Sequence, residues 1–407
     1  MKKVMLSLLF ASSLAADAGY NLIYDSHLSP YAGAEDLLAT HTILEESKID
    51  QFTMLYRFSP NPMAKIARAG ELILLWAPLN YCTAVAQHEV FGHGYRVRNL
   101  DSLGARVTNY KFGVPPPYGH GGGVTQFYWY PSKTNAFDKI AITFGGVEAS
   151  GIFANRIRFQ WLKKGQVSPR QSVLYLLSEH DLTRYTLMTK NGDKGDIDFY
   201  IQEMNAVYNH GNLSLASLKK EVLVNFLDPF TYYSLFAWYN FIMNGNEGPL
   251  PMISFRNYRY LPGFRLGLTP FGTEYYAENF LLKDNKPIYF YLRGGQFADL
   301  THFGAGIQCP HLWDIASFSL GFRVDLWNQP EFDFSDPQFN WRAVTSRGGI
   351  FPTNENSRLG ISYSILAERK LWDSGAFFLQ CGFKSEGFVP GEELGASPIL
   401  RVGITLW

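Results

Sequence analysis

The C-terminal part of the chain alternates apolar and polar residues with a period of two, which is typical of strands that bury one face. The longest runs of this kind cover residues 316–326, 359–368 and 377–384. A strand of about ten residues is long enough to cross a bilayer when tilted. One face of each run is apolar and the other is mostly polar or glycine, as expected where lipid lies outside and a wet lumen inside. We therefore predict barrel strands over residues 251–407.

Shorter alternating runs extend this pattern. They lie at 264–268, 288–292, 301–309 and 399–407. Open sheet edges are not tolerated in lipid, so the strands must close into a ring. One or more strands from residues 19–60 are expected to complete it, and the sequence suggests strands at 20–24 and 52–58.

Residues 61–250 show a different, mainly helical pattern. The predicted helices cover 62–79, 81–95, 135–162, 197–208 and 215–243, with one more before them at 34–46. Pro78 is expected to kink or end the first of these. Two short strands are predicted at 105–113 and 124–130. The fold class that we predict is an α+β membrane protein, a transmembrane antiparallel β-barrel with a helical domain in its lumen or against its rim.

The first residues resemble a secretory signal. Lys2 and Lys3 precede an apolar run from Val4 to Leu14, and small residues follow. This run is too short to span a bilayer on its own. The predicted organisation is a signal peptide at 1–18, an N-terminal segment at 19–60, a helical region at 61–250 and barrel strands at 251–407.

Composition favours a membrane over nucleic acid as the partner. The 36 basic and 36 acidic residues balance, so no polyanion is indicated. Aromatic residues make up 16% and charged residues only 18% of the chain, as expected where aromatic girdles and an apolar band meet lipid. Three cysteines are too few for a disulfide scaffold, although Cys309 and Cys381 would pair if their strands were close.

The last strand ends on Trp407. This strand resembles the last strand of bacterial outer-membrane barrels, which also ends on an aromatic residue and is recognised by their assembly machinery. The resemblance implies a bacterial outer-membrane location, with the lipid bilayer and that machinery as partners. One departure is that Leu400, Val402, Ile404 and Leu406 fall on the face opposite to Trp407.

The candidate chemistry is concentrated in His88-Glu89-Val90-Phe91-Gly92-His93, within a helical segment. Two imidazoles can bind zinc, and a carboxylate beside the first can take a proton from metal-bound water. In the common H-E-x-x-H form the histidines lie about 40° apart around the helix. The extra residue here raises the angle to about 140°. Both rings reach one ion only if the helix bulges, and Gly92 is the least costly position for a bulge.

This stretch resembles the H-E-x-x-G-H motif of dipeptidyl peptidase III, a gluzincin-type zinc peptidase. The resemblance implies His88 and His93 as zinc ligands and Glu89 as the general base. In that family a glutamate some fifty to sixty residues downstream, on another helix, completes the site. The matching residue is Glu148. The competing third ligands are Asp138, Glu179, His180 and Asp181.

Further residues are candidates for binding substrate. Gly122 and Gly123 precede a predicted strand, and glycine allows another chain to approach closely, so extended substrate can pair there. His120 is a candidate for stabilising an oxyanion. Asn155 lies about 20° from Glu148 around the long helix, so it can orient a ligand or bind substrate backbone. For Gly122 and Gly123 an ordinary hairpin loop explains the pattern equally well.

The predicted function is zinc-dependent cleavage of peptide or protein substrates at or inside an outer-membrane barrel. The alternative from another class is an outer-membrane transport barrel whose helices form a non-catalytic plug, with His88 and His93 structural or metal-storing. A helical inner-membrane protease is a third hypothesis, but it leaves the period-two half of the chain unexplained.

Overall fold

The structure, a computed structural model, describes residues 19–46, 53, 55–130, 133–134, 136–208, 212–284, 286–298, 300–330 and 357–406. The predicted signal peptide at 1–18 and the terminal Trp407 lie outside the described residues. The molecule combines helices with one large antiparallel sheet.

The helices are α1 (Pro30–Leu44), α2 (Pro62–Arg98), α3 (Ala136–Lys164), α4 (Ser172–Glu179), α5 (Asp181–Met188), α6 (Asp196–Val207), α7 (Leu215–Glu221) and α8 (Pro229–Asn244). Short 3₁₀ turns occupy Asp101–Leu103 and Val222–Leu227. The helical prediction is confirmed for each long segment, with one difference at α2, which continues through Pro78.

The strands are β1 (Tyr20–Tyr24), β2 (Arg106–Phe112), β3 (Gly123–Tyr128), β4 (Gln166–Val167), β5 (Gly248–Pro249), β6 (Ile253–Phe255), β7 (Tyr258–Thr269), β8 (Gly272–Lys283), β9 (Lys286–Phe297), β10 (Leu300–Ile315), β11 (Phe318–Pro330), β12 (Ser357–Trp372), β13 (Gly375–Lys384) and β14 (Ser397–Leu406). Strands β2 and β3 form a hairpin of their own, and β4 pairs with β5.

Ten strands form the large sheet in the order β1-β14-β13-β12-β11-β10-β9-β8-β7-β6. The N-terminal strand joins the C-terminal one as predicted, with Tyr20 opposite Leu406 and Tyr24 opposite Val402. In the part of the chain that the structure describes, β1 and β6 do not pair, so the sheet is open rather than a closed barrel. The large antiparallel sheet is therefore confirmed, and the closed ring is not found.

The two faces of the sheet differ as the alternation predicted. On β12, Ile361, Tyr363 and Ile365 are exposed, whereas Ser362 and Ser364 between them are buried. On β11, Leu326 is exposed and Asp325 is buried. On these two strands the apolar side chains therefore point away from the protein, and the polar ones point inwards.

The helices cover the inner face of the sheet, which carries buried polar residues and, on β7 and β8, buried apolar ones such as Leu266 and Phe280. Helix α3 packs against β7 and β9, and its Phe144 shares a core with Leu266, Leu268 and Phe388. The helical region and the strands thus share hydrophobic cores instead of forming separate domains.

Buried ion pairs bind the helices to the sheet. Arg158 of α3 is fully buried and lies 2.8 Å from Glu179, 3.2 Å from Asp228 and 2.7 Å from Glu278 of β8. A buried charge is tolerated only when it is paired and hydrogen-bonded. Arg158 therefore links three helical segments and the sheet at one point.

Helix α2 contains two π-helical turns, Glu71–Trp76 and Glu89–His93. The first lies just before Pro78. Proline cannot donate to the carbonyl four residues earlier, which belongs to Leu74. The hydroxyl of Tyr118, in the β2–β3 connection, donates to that carbonyl at 2.7 Å. The helix continues because the unusual turn and an outside donor compensate for the proline.

Two further predictions differ from the structure. A strand at 52–58 was expected, but its described residues 55–58 form turns. Cys309 and Cys381 are both free, with Cys309 buried and Cys381 exposed. They lie on β10 and β13, which are not neighbours, so a disulfide is excluded.

We expect Arg158→Met to lower the free energy of unfolding by about 3–5 kcal/mol, because it removes the arginine that pairs with the buried carboxylates of Glu179 and Asp228 and one of the two arginines that pair with Glu278. Thermal or denaturant unfolding of the purified protein measures this change. Arg256→Met, at an exposed turn, is the control and should have little effect. Equal stability of the two variants would contradict the structural role of Arg158.

Candidate metal centre

The second π-helical turn of α2 brings the two histidines together. The backbone N–H of Gly94 donates to the carbonyl of Glu89, five residues earlier. This extra residue in one turn is the bulge that the motif required, and the prediction is confirmed. The Nε2 atoms of His88 and His93 lie 3.1 Å apart.

Glycines allow the histidines to approach α3. A Cβ on Gly92 would lie 2.6 Å from the carbonyl oxygen of Gly145, and one on Gly146 would lie 2.3 Å from Nε2 of His88. Real Cβ atoms do not approach other atoms so closely, so both positions require glycine. The two helices therefore pack closely at the histidines.

The third ligand atom comes from Asp196, the first residue of α6. Its Oδ2 lies 3.3 Å from Nε2 of His88 and 3.3 Å from Nε2 of His93. The three side chains together can hold a metal ion. Both histidines are buried and Asp196 is partly exposed, so the site has one side that is open.

Each histidine uses its other ring nitrogen to bind the protein. Nδ1 of His93 donates to the carbonyl of Ile142 at 2.6 Å. Nδ1 of His88 lies 2.7 Å from Oδ2 of Asp181, which also accepts from the hydroxyl of Ser150. These contacts leave both Nε2 atoms directed at the centre. A carboxylate or carbonyl behind a ligand histidine is the usual arrangement at metal sites.

The two aspartates are held in the ionised form. Burial opposes ionisation of Asp181, but the neighbouring His88 and its hydrogen bonds outweigh burial and lower the pKa of this carboxyl. Burial also opposes ionisation of Asp196, and the two histidines outweigh it, so its pKa is lowered as well. Both carboxylates are thus charged as a cation site needs.

Glu89 lies beside the ligands without joining them. Its Oε2 accepts from the hydroxyl of Thr125 on β3 at 2.6 Å. A Cβ on Gly123 would lie 2.6 Å from Cγ of Glu89, so glycine makes room for this side chain. A pocket of about 320 Å³ lies beside His88 and Glu89. Its lining residues are Tyr81, Ala84, Val85, His88, Glu89, Gly122, Gly123, Leu177, Asp181, Arg184 and Tyr185.

The predicted third ligand, Glu148, is not at the centre. Its carboxylate pairs with the guanidinium of Arg96, whose Nε donates at 2.9 Å, and also accepts from the backbone N–H of Gly391 at 2.8 Å. A buried arginine takes up the carboxylate because both charges would otherwise be unpaired. The prediction of Glu148 as a ligand was therefore wrong, and Asp196 stands in its place.

Asn155 is also away from the centre. With Glu148 it lines a separate cavity of about 870 Å³ between α3 and the sheet. The two residues share a face of the helix as predicted, but that face points away from the histidines. A role for Asn155 in binding substrate at the metal centre is therefore not supported.

The remaining candidates are divided. Gly122 and Gly123 line the pocket, whereas His120 is exposed and is not among the pocket's described lining residues. Of the competing third ligands, Asp181 contacts His88, but through Nδ1. Glu179 pairs with Arg158, and His180 contacts Thr231.

Asp196 was missed because its sequence context is ordinary. An acidic residue in the first turn of a helix is common, since it interacts favourably with the helix dipole. Nothing in the spacing between His93 and Asp196 marks a ligand.

No family model matches this chain, and neither the curated proteins nor the solved structures contain a match to it.

We expect Asp196→Ala to lower the metal content of the purified protein sharply, since it removes one of three ligand atoms. Elemental analysis of dialysed protein measures the stoichiometry. Two variants serve as controls, Asp198→Ala on the same helix and Glu148→Gln at the position first predicted, which keeps an oxygen for Arg96. Both should retain the metal, and loss of metal in Glu148→Gln alone would contradict the assignment.

Asp181→Asn should weaken metal binding by about 10–100-fold without abolishing it, because the asparagine can no longer fix the His88 ring as a carboxylate does. Competition with a chromogenic chelator measures the affinity. Asp193→Asn, in the exposed loop before α6, is the matched control. An unchanged affinity in Asp181→Asn would show that the contact to His88 does not support the site.

Proposed function

We propose that this protein is a zinc-dependent peptidase. The geometry of the three ligand atoms carries the proposal. Tetrahedral zinc with bonds of about 2.0–2.1 Å separates neighbouring ligand atoms by about 3.3 Å. The three separations here are 3.1, 3.3 and 3.3 Å, so the side chains fit one zinc ion.

The donor set favours a catalytic site over a structural one. Structural zinc sites have four protein ligands, whereas catalytic sites have three and keep a position for water or substrate. Two imidazoles and one carboxylate meet here. When bound, zinc supplies a Lewis acid and lowers the pKa of a coordinated water towards neutrality.

Glu89 is the residue that we propose as the general base. It follows His88 directly, lines the same pocket and is held by Thr125. A carboxylate in this position can accept a proton from the attacking water and return it to the leaving amine. Thr125 donates to Oε2 of Glu89 and so fixes the position of this carboxylate in the pocket.

Gly122 and Gly123 form the wall of the pocket on which we propose that the substrate lies. The N–H of Gly122 donates to the hydroxyl of Tyr81 at 2.8 Å, which fixes the loop against α2. A Cβ on Gly122 would meet no atom within 4 Å, so the pocket is open there. An extended peptide can approach the backbone of β3 at this wall.

We also propose that the protein resides in the bacterial outer membrane. The support is the inverted distribution of side chains, with apolar residues on the outer face of the sheet and ion pairs such as Arg293–Glu274 inside. Large exposed apolar surfaces are unusual in soluble proteins and indicate a membrane or a partner.

The decisive experiment compares Glu89→Gln with the wild type. The variant should keep zinc and lose cleavage of a denatured outer-membrane protein or a fluorogenic peptide mixture by roughly two to four orders of magnitude. Zinc content and cleavage rate are measured on the same preparation.

Glu46→Gln, at an exposed position of the chain, is the matched control and should cleave at the wild-type rate. Normal cleavage by Glu89→Gln would remove Glu89 as the base. A wild type that binds zinc but cleaves nothing would favour a transport barrel with a helical plug.

A further inference from the structure

The open sheet has two edges, and a helical segment supplies a hydrogen bond to each. At β1, the N–H of Ile23 donates to Oδ1 of Asp36 on α1 at 2.6 Å. At the other end, β6 pairs with only the first three residues of β7. Beyond it, the N–H of Leu266 on β7 donates to Oδ1 of Asn225 at 2.7 Å. At each edge a side chain from a helical segment therefore accepts from one backbone N–H of the strand.

A continuous row of helices connects these two edges. Helix α1 packs on β1 and also on α2, where Nε2 of His41 lies 2.7 Å from Oδ1 of Asn80. Helix α2 packs on α8. The 3₁₀ turn that carries Asn225 leads into α8 and packs on β7.

Arg68 links α2 to α8 through hydrogen bonds on the inner side of the two helices. It is fully buried, and its guanidinium donates to the carbonyls of Ile242 and Met243 at 3.0 and 3.2 Å. Leu72, Trp76 and Phe241 form the apolar contact between the same helices. Both the buried arginine and the apolar contact between α2 and α8 thus lie on the inner side of this helix pair.

The outer side of the helix pair is apolar and uncovered. Its exposed residues are Met63, Ile66, Ile73, Leu74 and Leu75 on α2, and Tyr232, Leu235, Phe236 and Tyr239 on α8. Helix α2 is long and apolar enough to cross a membrane, and only 28% of its most apolar stretch is buried. A core helix of a soluble protein would be mostly buried.

This apolar surface is continuous with that of the sheet. One groove is lined by Leu227 and Tyr233 on the helical side and by Ile253, Leu261 and Phe264 on the strands. In hydrocarbon an open sheet edge is not tolerated, because its N–H and C=O groups have no water to bind. Helices that cover these edges in a bilayer must then be apolar on the side that faces lipid.

We propose that α2 and α8 face the acyl chains of the bilayer and complete the wall that the ten strands leave open. The inference rests on the outer-membrane location proposed above. Helix α2 then has two functions, since it carries His88 and His93 and also faces lipid. The metal centre accordingly lies behind a helical section of the wall, not behind strands.

Site-directed spin labelling in lipid nanodiscs tests this proposal. Single cysteines replace Leu75 on α2 and Phe236 on α8, in a chain without its three native cysteines. Ile365 on β12 is the reference for the outer face of the sheet, and Asn191 in an exposed loop is the reference for water. Oxygen, which partitions into lipid, and a water-soluble nickel chelate compete to relax each label.

Labels at Leu75 and Phe236 should give the same preference for oxygen as Ile365 and the opposite of Asn191. Access of the nickel chelate to Leu75 and Phe236, with Ile365 protected, would overturn the proposal while leaving the membrane location intact. Protection from both reagents would also overturn it, because protein would then cover the helices. Access of the chelate to Ile365 would overturn the membrane location itself, and the proposal with it.

Discussion

The close contact between α2 and α3 is the constraint on which the candidate metal centre depends. Gly92 on one helix and Gly145 and Gly146 on the other have no side chains, so the two backbones meet. This approach puts the ring of His93 against the carbonyl of Ile142 and leaves space for His88. A single methyl group at Gly146 would occupy the position of the ligand nitrogen. The backbone contact thus makes room for His88 and contributes the carbonyl that orients His93.

The same helix α3 also takes part in the buried ion pairs of the interior. Helix α3 presents glycines to α2 and, farther along, a fully buried arginine to the sheet through the Arg158 cluster. Charged groups inside the protein pair with one another, beside the hydrophobic cores that the helices and strands share. A buried ion pair contributes little net stability, but removal of one partner is strongly destabilising.

Much of this architecture could be predicted from local patterns. The period-two runs identified the long strands and their two faces, because the side-chain alternation of a strand is independent of its neighbours. The helical bulge at Gly92 followed from the angle between His88 and His93. Closure of the sheet could not be predicted correctly, because the way in which helices cover an edge depends on tertiary contacts such as Asn225 to Leu266. Asp196 and the pairing of Glu148 with Arg96 depend equally on which helices come together, and spacing along the chain does not encode this.

The contact between Tyr118 and Leu74 has a mechanical consequence. Helix α2 carries two ligands and the proposed base, and through the carbonyl that Pro78 leaves free it also anchors the connection that leads to Gly122 and Gly123. Helix α2 therefore supports most of the residues of the candidate site. If α2 moves relative to the sheet, the side chains that it carries move together. Asp196 belongs to α6, so a movement of α2 relative to α6 changes the distance between this carboxylate and the two imidazoles.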